Sequence, residues 1–375
     1  MAELARRVIG SHVGDPPPGL YRTTRPDLLI RFAGYAVAKF VSGVMRLGGD
    51  GELPELAHAR NRRAMLVVRR RNVARDGTVV ELTVAAHDGM ALPPWHPGAH
   101  IDVHLPSGRT RQYSLCGDPR RTQEYRFAVR RTCDGSGSSK EAHGLRVNQV
   151  IDISTPRNAF LMPLPGSASR AQRLHFIAGG IGITPILPMA RLAERTGVPW
   201  SLCYIGRHRD NLPFLDELSA FGDKVRVHTT DQHGRPGTTE LLAGADETTA
   251  VYVCGPPPMI DAVRRTVAPG TELHFERFSP LPVVDGKPFE VMLARSATVI
   301  QVGAQQSTLA ALQSYLPHVS YSCRQGYCGS CVQQVLAGDV DHRDNLLTDE
   351  QRELGQMLVC VSRAKPTSAP LVLDL

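Results

Sequence analysis

The 375-residue sequence lacks four things: a long apolar run free of charge, a secretory leader, an internal repeat, and cysteines spread as a disulfide framework. Each absence removes a class of protein. The one membrane candidate, residues 27–47, carries Arg31, Lys39 and Arg46 inside it, and central charges cost roughly 2.5–3.5 kcal/mol each on insertion. An amphipathic helix packed on protein is therefore expected there, with contact along a membrane surface the less favoured alternative. The first residues show no charged region followed by a clean apolar run and a small-residue cleavage site, so a reducing cytoplasm is the expected location. A net charge of +7, from 43 Lys and Arg against 36 Asp and Glu, is too modest to indicate nucleic acid. With 42% hydrophobic and 21% charged residues, the chain is neither disordered nor collagen-like.

What is present is a succession of patterns, and the length alone predicts two to four domains. Residues 1–63 read as an N-terminal extension, with Pro16-Pro-Pro-Gly19 as an extended tether before the amphipathic stretch. Residues 64–170 carry short β-type runs at 65–68, 78–84, 100–104, 125–129 and 150–153, separated by turn residues. That spacing predicts an antiparallel β-barrel. Over 171–278, apolar strands at 174–178, 200–204, 225–228 and 250–253 alternate with helical stretches, which predicts an α/β domain with a parallel sheet. Residues 279–286 contain two prolines and a glycine and read as a linker. A third module fills 287–375.

The strongest chemical signal is Tyr321-Ser-Cys-Arg-Gln-Gly-Tyr-Cys-Gly-Ser-Cys331 with Cys360 later in the chain. Cys323, Cys328, Cys331 and Cys360 have the C-x4-C-x2-C…C spacing of a [2Fe-2S] site, where four thiolates converge on two irons and small residues let backbone amides turn toward sulfur. A zinc ribbon is the competing use of such cysteines, but it pairs two C-x2-C-like knuckles and only one pair here has that spacing. Surrounding residues resemble plant-type ferredoxins, which implies an α+β β-grasp domain.

A second signal, Ile177-Ala-Gly-Gly-Ile-Gly-Ile-Thr-Pro185, falls where a predicted strand hands over to a helix. Glycines there let backbone approach a pyrophosphate whose charge the helix N-terminus favours. Together with Val251-Tyr-Val-Cys-Gly-Pro-Pro-Pro-Met259 it resembles the nicotinamide-binding half of the ferredoxin-NADP reductase superfamily. The resemblance implies that Gly179, Gly180 and Gly182 border the dinucleotide, that Cys254 and Gly255 lie beside the nicotinamide, and that Thr184 lies near both nicotinamide and flavin. Arg111-Gln-Tyr-Ser-Leu115 matches the flavin signature of the same superfamily: Tyr113 offers an aromatic face, Ser114 a donor near the reactive nitrogen, and Arg111 a cation for phosphate. Gly137, Ser138 and Ser139 resemble its phosphate-binding turn.

Pro156-Arg-Asn-Ala-Phe160 and the module order narrow the likeness to the phthalate dioxygenase reductase and vanillate demethylase reductase group, over residues 64–375. That implies FMN, with FAD the alternative, and NADH, with NADPH the alternative. Arg207 and Arg209 follow the second strand of the α/β domain, where a cation would hold a 2′-phosphate or simply face solvent. Phe278, after the last strand of that domain, would cover the flavin. Ser114, Thr184 and Cys254 are the residues expected around the hydride.

A nicotinamide gives up two electrons together, a [2Fe-2S] cluster takes one, and a flavin holds two, one or none, so these sites imply the order NADH, flavin, cluster, external acceptor. No oxygen-activating iron is evident. The nearest facial triad, His100, Asp102 and His104, shares one strand face and is expected to be solvated polar surface. The acceptor is therefore expected to be a separate terminal oxygenase or demethylase protein. Two alternatives stand beside this: an FAD reductase of the same superfamily with another acceptor, and a non-enzymatic iron-sulfur redox sensor.

Overall fold

A computed structural model describes residues 62–132, 137–166, 169–316, 319–321, 324–326, 329–366 and 370–375. The N-terminal extension with its expected amphipathic helix, and Cys323 and Cys328, lie outside the described residues. Three sheets follow one another along the chain. The first holds β1 (Arg62–Asn72), β2 (Val79–Ala86), β3 (Ala99–His104), β4 (Thr110–Ser114), β5 (Glu124–Arg130), β6 (Val150–Ser154) and the short β7 (Arg157–Asn158). All its pairings are antiparallel, in the order β4-β3-β6-β1-β2-β5 with β7 on β3. A bridge between Leu115 and Phe127 and a bond from Cys116 N to Arg126 O of 2.8 Å join the two ends of that order, so the sheet closes on itself. Alternate residues Val80, Leu82 and Val84 of β2 face Met65, Ile101, Leu115, Phe127 and Ile153 in one core, the packing expected of a small barrel.

The second sheet is parallel, in the order β10-β9-β8-β11-β12, from β8 (Arg173–Gly179), β9 (Trp200–Gly206), β10 (Val225–Thr229), β11 (Thr249–Cys254) and β12 (Leu273–Glu276). β8 and β11 are almost wholly buried, as continuous apolar strands in a parallel sheet must be. The chain runs from β8 outward to β10 and then returns to place β11 on the other side of β8. That reversal makes the C-terminal ends of β8 and β11 the crevice where open α/β sheets bind ligands.

The third sheet is mixed: β13 (Phe289–Leu293), β14 (Thr298–Val302), β15 (Val332–Ala337), β17 (Gln356–Leu358) and β19 (Leu371–Leu373), in the order β14-β13-β19-β15-β17. The β13–β19 pair is parallel and the rest antiparallel, and a short two-stranded sheet of β16 (Val340–Asp341) and β18 (Arg363–Ala364) lies apart. Helix Thr308–Tyr315 packs Leu309 and Leu312 into the core of this module, with Ser307 capping its first turn. Among the described residues no helix is long and apolar enough to cross a membrane.

Candidate functional site

The glycine loops build the first wall of the site. Gly179 ends β8, Gly180–Gly182 form a 3-10 turn, and helix α1 (Ile183–Thr196) starts directly after it. Cys254 ends β11, and Gly255 crosses Gly179 so closely that a Cβ on Gly255 would lie 2.9 Å from Gly179 N. A Cβ on Gly182 would meet the Cys254 carbonyl oxygen at 2.2 Å. The two signature segments therefore need glycine to touch, and two side chains there would force them apart. Thr184 is buried in the first turn of α1 and donates to the Ile181 carbonyl at 3.0 Å. The Gly180 carbonyl accepts from the Tyr204 hydroxyl at 3.0 Å. Cys254 is fully buried, and burial pushes its thiol far up, so it stands there as a neutral small group.

Strand β4 supplies the second wall. Arg111, Gln112 and Tyr113 are only partly covered, whereas Ser114 is buried. Tyr113 stacks on Phe127 with centroids 5.3 Å apart. Ser114 Oγ lies 3.5 Å from Oε2 of Glu276, the residue that ends β12 in register with Cys254. Burial pushes the Glu276 carboxyl up to about 8, opposed only by the Ser114 hydroxyl, so at neutral pH it is mostly protonated. Sequence reasoning marked this segment for Phe278 and passed over Glu276. Glu276 is the last residue of β12 and is buried, whereas Phe278 lies beyond the strand end and is 47% exposed; no local spacing in the sequence announces that difference.

Ser138 is buried and Ser139 exchanges a 2.8 Å hydroxyl contact with Thr132, both in the short helix after Gly137. Arg207 is exposed, and its carbonyl accepts from Asp231 N at 3.0 Å, which puts a carboxylate residue at the same strand ends. His208 Nδ1 and Asp231 Oδ2 lie within hydrogen-bond distance beside it, at 2.9 Å. The expected solvated face of β3 is instead covered. Pairing of β7 with β3 lays Arg157 over Asp102, 2.6 Å apart, and His100 and Asp102 are buried, while His104 meets Thr110 Oγ1 at 2.8 Å.

The third wall is the cysteine segment. Antiparallel pairing of β15 with β17 brings Cys331 beside Cys360, with Val359 N bonded to Cys331 O at 3.3 Å, and both cysteines are buried. Two cysteines 29 positions apart thus lie on neighbouring backbone, as ligands of a shared cluster must. The same segment is tied to the flavin-signature strand. The Tyr321 hydroxyl donates to the Thr110 carbonyl at 2.8 Å, and Gln325 Nε2 donates to the Arg277 carbonyl at 3.2 Å.

Glycine-built contact of two nucleotide loops, a half-covered aromatic strand with a neutral carboxyl behind its serine, and buried cysteines on neighbouring backbone together fit dinucleotide, flavin and [2Fe-2S] binding. They define an NAD(P)H-dependent flavin and iron-sulfur oxidoreductase. Residues 176–265 match the oxidoreductase NAD-binding domain family, and residues 291–365 match the 2Fe-2S iron-sulfur cluster binding domain family. The phenoxybenzoate dioxygenase subunit beta of Ectopseudomonas oleovorans is 40% identical over 80% of this chain and 94% of its own length. The vanillate O-demethylase oxidoreductase of a Pseudomonas species is 39% identical over 81% and 97%. The solved structure of phthalate dioxygenase reductase, described as a modular structure for electron transfer from pyridine nucleotides to [2Fe-2S], is 34% identical. It matches with a TM-score of 0.63 over 86% of this chain and 100% of its own. The chain belongs to the phthalate dioxygenase reductase-like family and is an oxygenase reductase component, carrying electrons from NAD(P)H by way of flavin and a [2Fe-2S] cluster.

Proposed function

We propose that the chain uses NADH and FMN, and delivers single electrons through its cluster to a separate terminal oxygenase or demethylase. The observation that carries this reading is the position of β4: Ser114 is backed by Glu276 at the nucleotide crevice, and the Thr110 carbonyl of the same strand holds Tyr321 of the cysteine segment. One strand thus serves both ends of the electron path. Bound flavin supplies the conversion between two-electron and one-electron transfer.

In this reading residues 64–170 form the flavin domain, 171–278 the nucleotide domain, 279–286 a linker and 287–375 the ferredoxin domain, after an N-terminal extension of 1–63. Arg111, Gly137, Ser138 and Ser139 hold the flavin phosphate, Tyr113 and Phe278 face its ring, and Ser114 offers its hydroxyl to the ring nitrogen. Gly179, Gly180, Gly182 and Gly255 admit the dinucleotide backbone, while Thr184 and the neutral Cys254 border the nicotinamide. Cys323, Cys328, Cys331 and Cys360 ligate the two irons. NADH is preferred over NADPH because Asp231 stands next to Arg207, where a 2′-phosphate would meet a carboxylate. The relatives, whose names are those of dioxygenase and demethylase components, support an oxygenase or demethylase partner.

The test is an anaerobic absorption spectrum of the purified protein before and after one equivalent of NADH, and separately of NADPH, with the flavin identified after acid release. Flavin and iron-sulfur bands that bleach with NADH, and release of FMN, support the reading. Release of FAD, or bleaching with NADPH alone, would replace the cofactor assignment.

A further inference from the structure

Between the antiparallel barrel and the parallel sheet lies an ion network that neither glycine loop nor cysteine segment accounts for. Its centre is Glu217, in the one-turn helix α2 (Leu215–Leu218) of the nucleotide domain. Arg71 of β1, Arg126 of β5 and Arg191 of α1 all reach this one carboxylate, the Arg126 contact measuring 2.8 Å. Arg71 and Arg126 share a second, almost fully buried carboxylate, Glu81 of β2, which Arg71 Nε meets at 2.8 Å. Burial pushes the Glu217 carboxyl up, but Arg126, Arg191 and Arg71 outweigh that and hold it below the ordinary glutamate range. Two carboxylates and three guanidinium groups are thus gathered in a cleft of about 410 Å³ lined by ionic side chains.

One bond connects this network to the reacting centre. Arg191 Nη1 donates to the carbonyl of Cys116 at 3.2 Å. Cys116 is two residues beyond Ser114, and Arg191 is seven residues beyond Thr184 on α1, two helical turns along the same face. The helix that carries Thr184 in its first turn is thus pinned next to the strand that carries Ser114, and Glu217 holds the pinning arginine. An arginine fork can serve a carbonyl and a carboxylate together, which a single ammonium does with less geometric control.

We propose that Glu217 is a positioning residue for hydride transfer: by clasping Arg71 and Arg126 of the barrel and Arg191 of α1, it sets the separation of the flavin strand from the nicotinamide loop. The proposal rests on the assignment of Ser114 and Thr184 to flavin and nicotinamide given above. It concerns approach and not cofactor binding, since none of the clasp residues belongs to the signatures. Misplacement of reacting groups by an ångström is enough to slow a transfer step strongly.

Anaerobic stopped-flow reduction of the holoprotein by NADH over a range of concentrations separates the limiting rate from the apparent Kd. Glu217→Gln is expected to lower the limiting rate of flavin bleaching about tenfold. The apparent Kd for NADH should change less than about twofold, the flavin and cluster spectra should be unaltered, and the long-wavelength nicotinamide–flavin charge-transfer absorbance should diminish. Arg191→Lys should behave in the same direction to a smaller degree. Added NaCl up to about 0.5 M should slow the limiting rate in the wild type and have less effect in Glu217→Gln. Equal limiting rates and charge-transfer absorbance in wild type and in both variants would overturn the clasp. If Glu217→Gln does not fold, a limiting rate that neither Arg191→Lys nor salt alters overturns it equally. A wild type that neither NADH nor NADPH bleaches would instead defeat the functional reading beneath it.

Discussion

The Tyr321 hydroxyl and the Thr110 carbonyl, 211 residues apart in the chain, are joined by a hydrogen bond of 2.8 Å. Through it the segment that leads into the cluster cysteines is held against the strand that begins the flavin signature. Tyr321 is itself 7% exposed and carries the Arg324 guanidinium over its ring at 4.2 Å. The bond therefore belongs to a packed joint between flavin and ferredoxin domains.

Removing that hydroxyl should loosen the joint. A neutral hydrogen bond contributes about 1 kcal/mol net, so Tyr321→Phe is expected to shift the joint's equilibrium about fivefold toward opening and thereby to slow electron arrival at the cluster. Stopped-flow traces at flavin and cluster wavelengths check this: flavin bleaching by NADH should keep its rate while cluster bleaching lags further behind. Coincident traces identical to wild type would show that the bond has no part in transfer.

Gly182→Ala places a methyl 2.2 Å from the Cys254 carbonyl oxygen. Backbone cannot yield as a flexible side chain can, so a cost of about 1–3 kcal/mol in stability is expected. The thermal midpoint should fall, and NADH affinity should weaken more than flavin retention, because the displaced loops belong to the nucleotide crevice. Thermal melts and NADH titration measure the two effects.

Glu276 gives a pH signature. Its carboxyl is pushed up to about 8 by burial in the folded protein, whereas in the unfolded chain it titrates as an ordinary glutamate. Between those values the folded state binds the extra proton, so its stability contribution is complete at low pH and is lost as pH rises toward 8, at no more than about 1.4 kcal/mol per pH unit. Glu276→Gln ionises in neither state. The difference in melting temperature, variant minus wild type, should therefore grow from pH 5 to pH 8; parallel curves would mean that Glu276 does not hold its proton.

Cys360→Ser should abolish the iron-sulfur absorbance and electron delivery to a one-electron protein acceptor, and Cys328→Ser should do the same. NADH-driven ferricyanide reduction through the flavin should persist in both. Loss of flavin reduction as well would show that the ferredoxin domain is needed for the first half-reaction.

Legibility in the sequence followed locality. The C-x4-C-x2-C spacing, the Gly179–Gly182 turn after an apolar strand, and Arg111-Gln-Tyr-Ser114 each occupy a few consecutive residues. Their chemistry needs small or specific groups at fixed offsets, and that requirement is written in neighbouring positions. The expected strands of the barrel and of the parallel sheet likewise appear, since periods of two and continuous apolar runs are local properties. The face of β3 was misjudged for the complementary reason: Arg157 covers Asp102 only because β7 folds back onto β3, and alternation alone cannot tell water from a returning strand.

By itself, then, the sequence determined three sheets in order and the classes of three cofactors. Tertiary structure alone decided how the sites meet. Glu276 lies 162 residues from Ser114, and Glu217 lies 146 from Arg71 and 91 from Arg126. A single glutamate carries no spacing that announces such a partner. Its role comes from burial and from the packing of one sheet on another, which remove water from the pair and let a lone carboxyl keep a proton or gather three guanidinium groups.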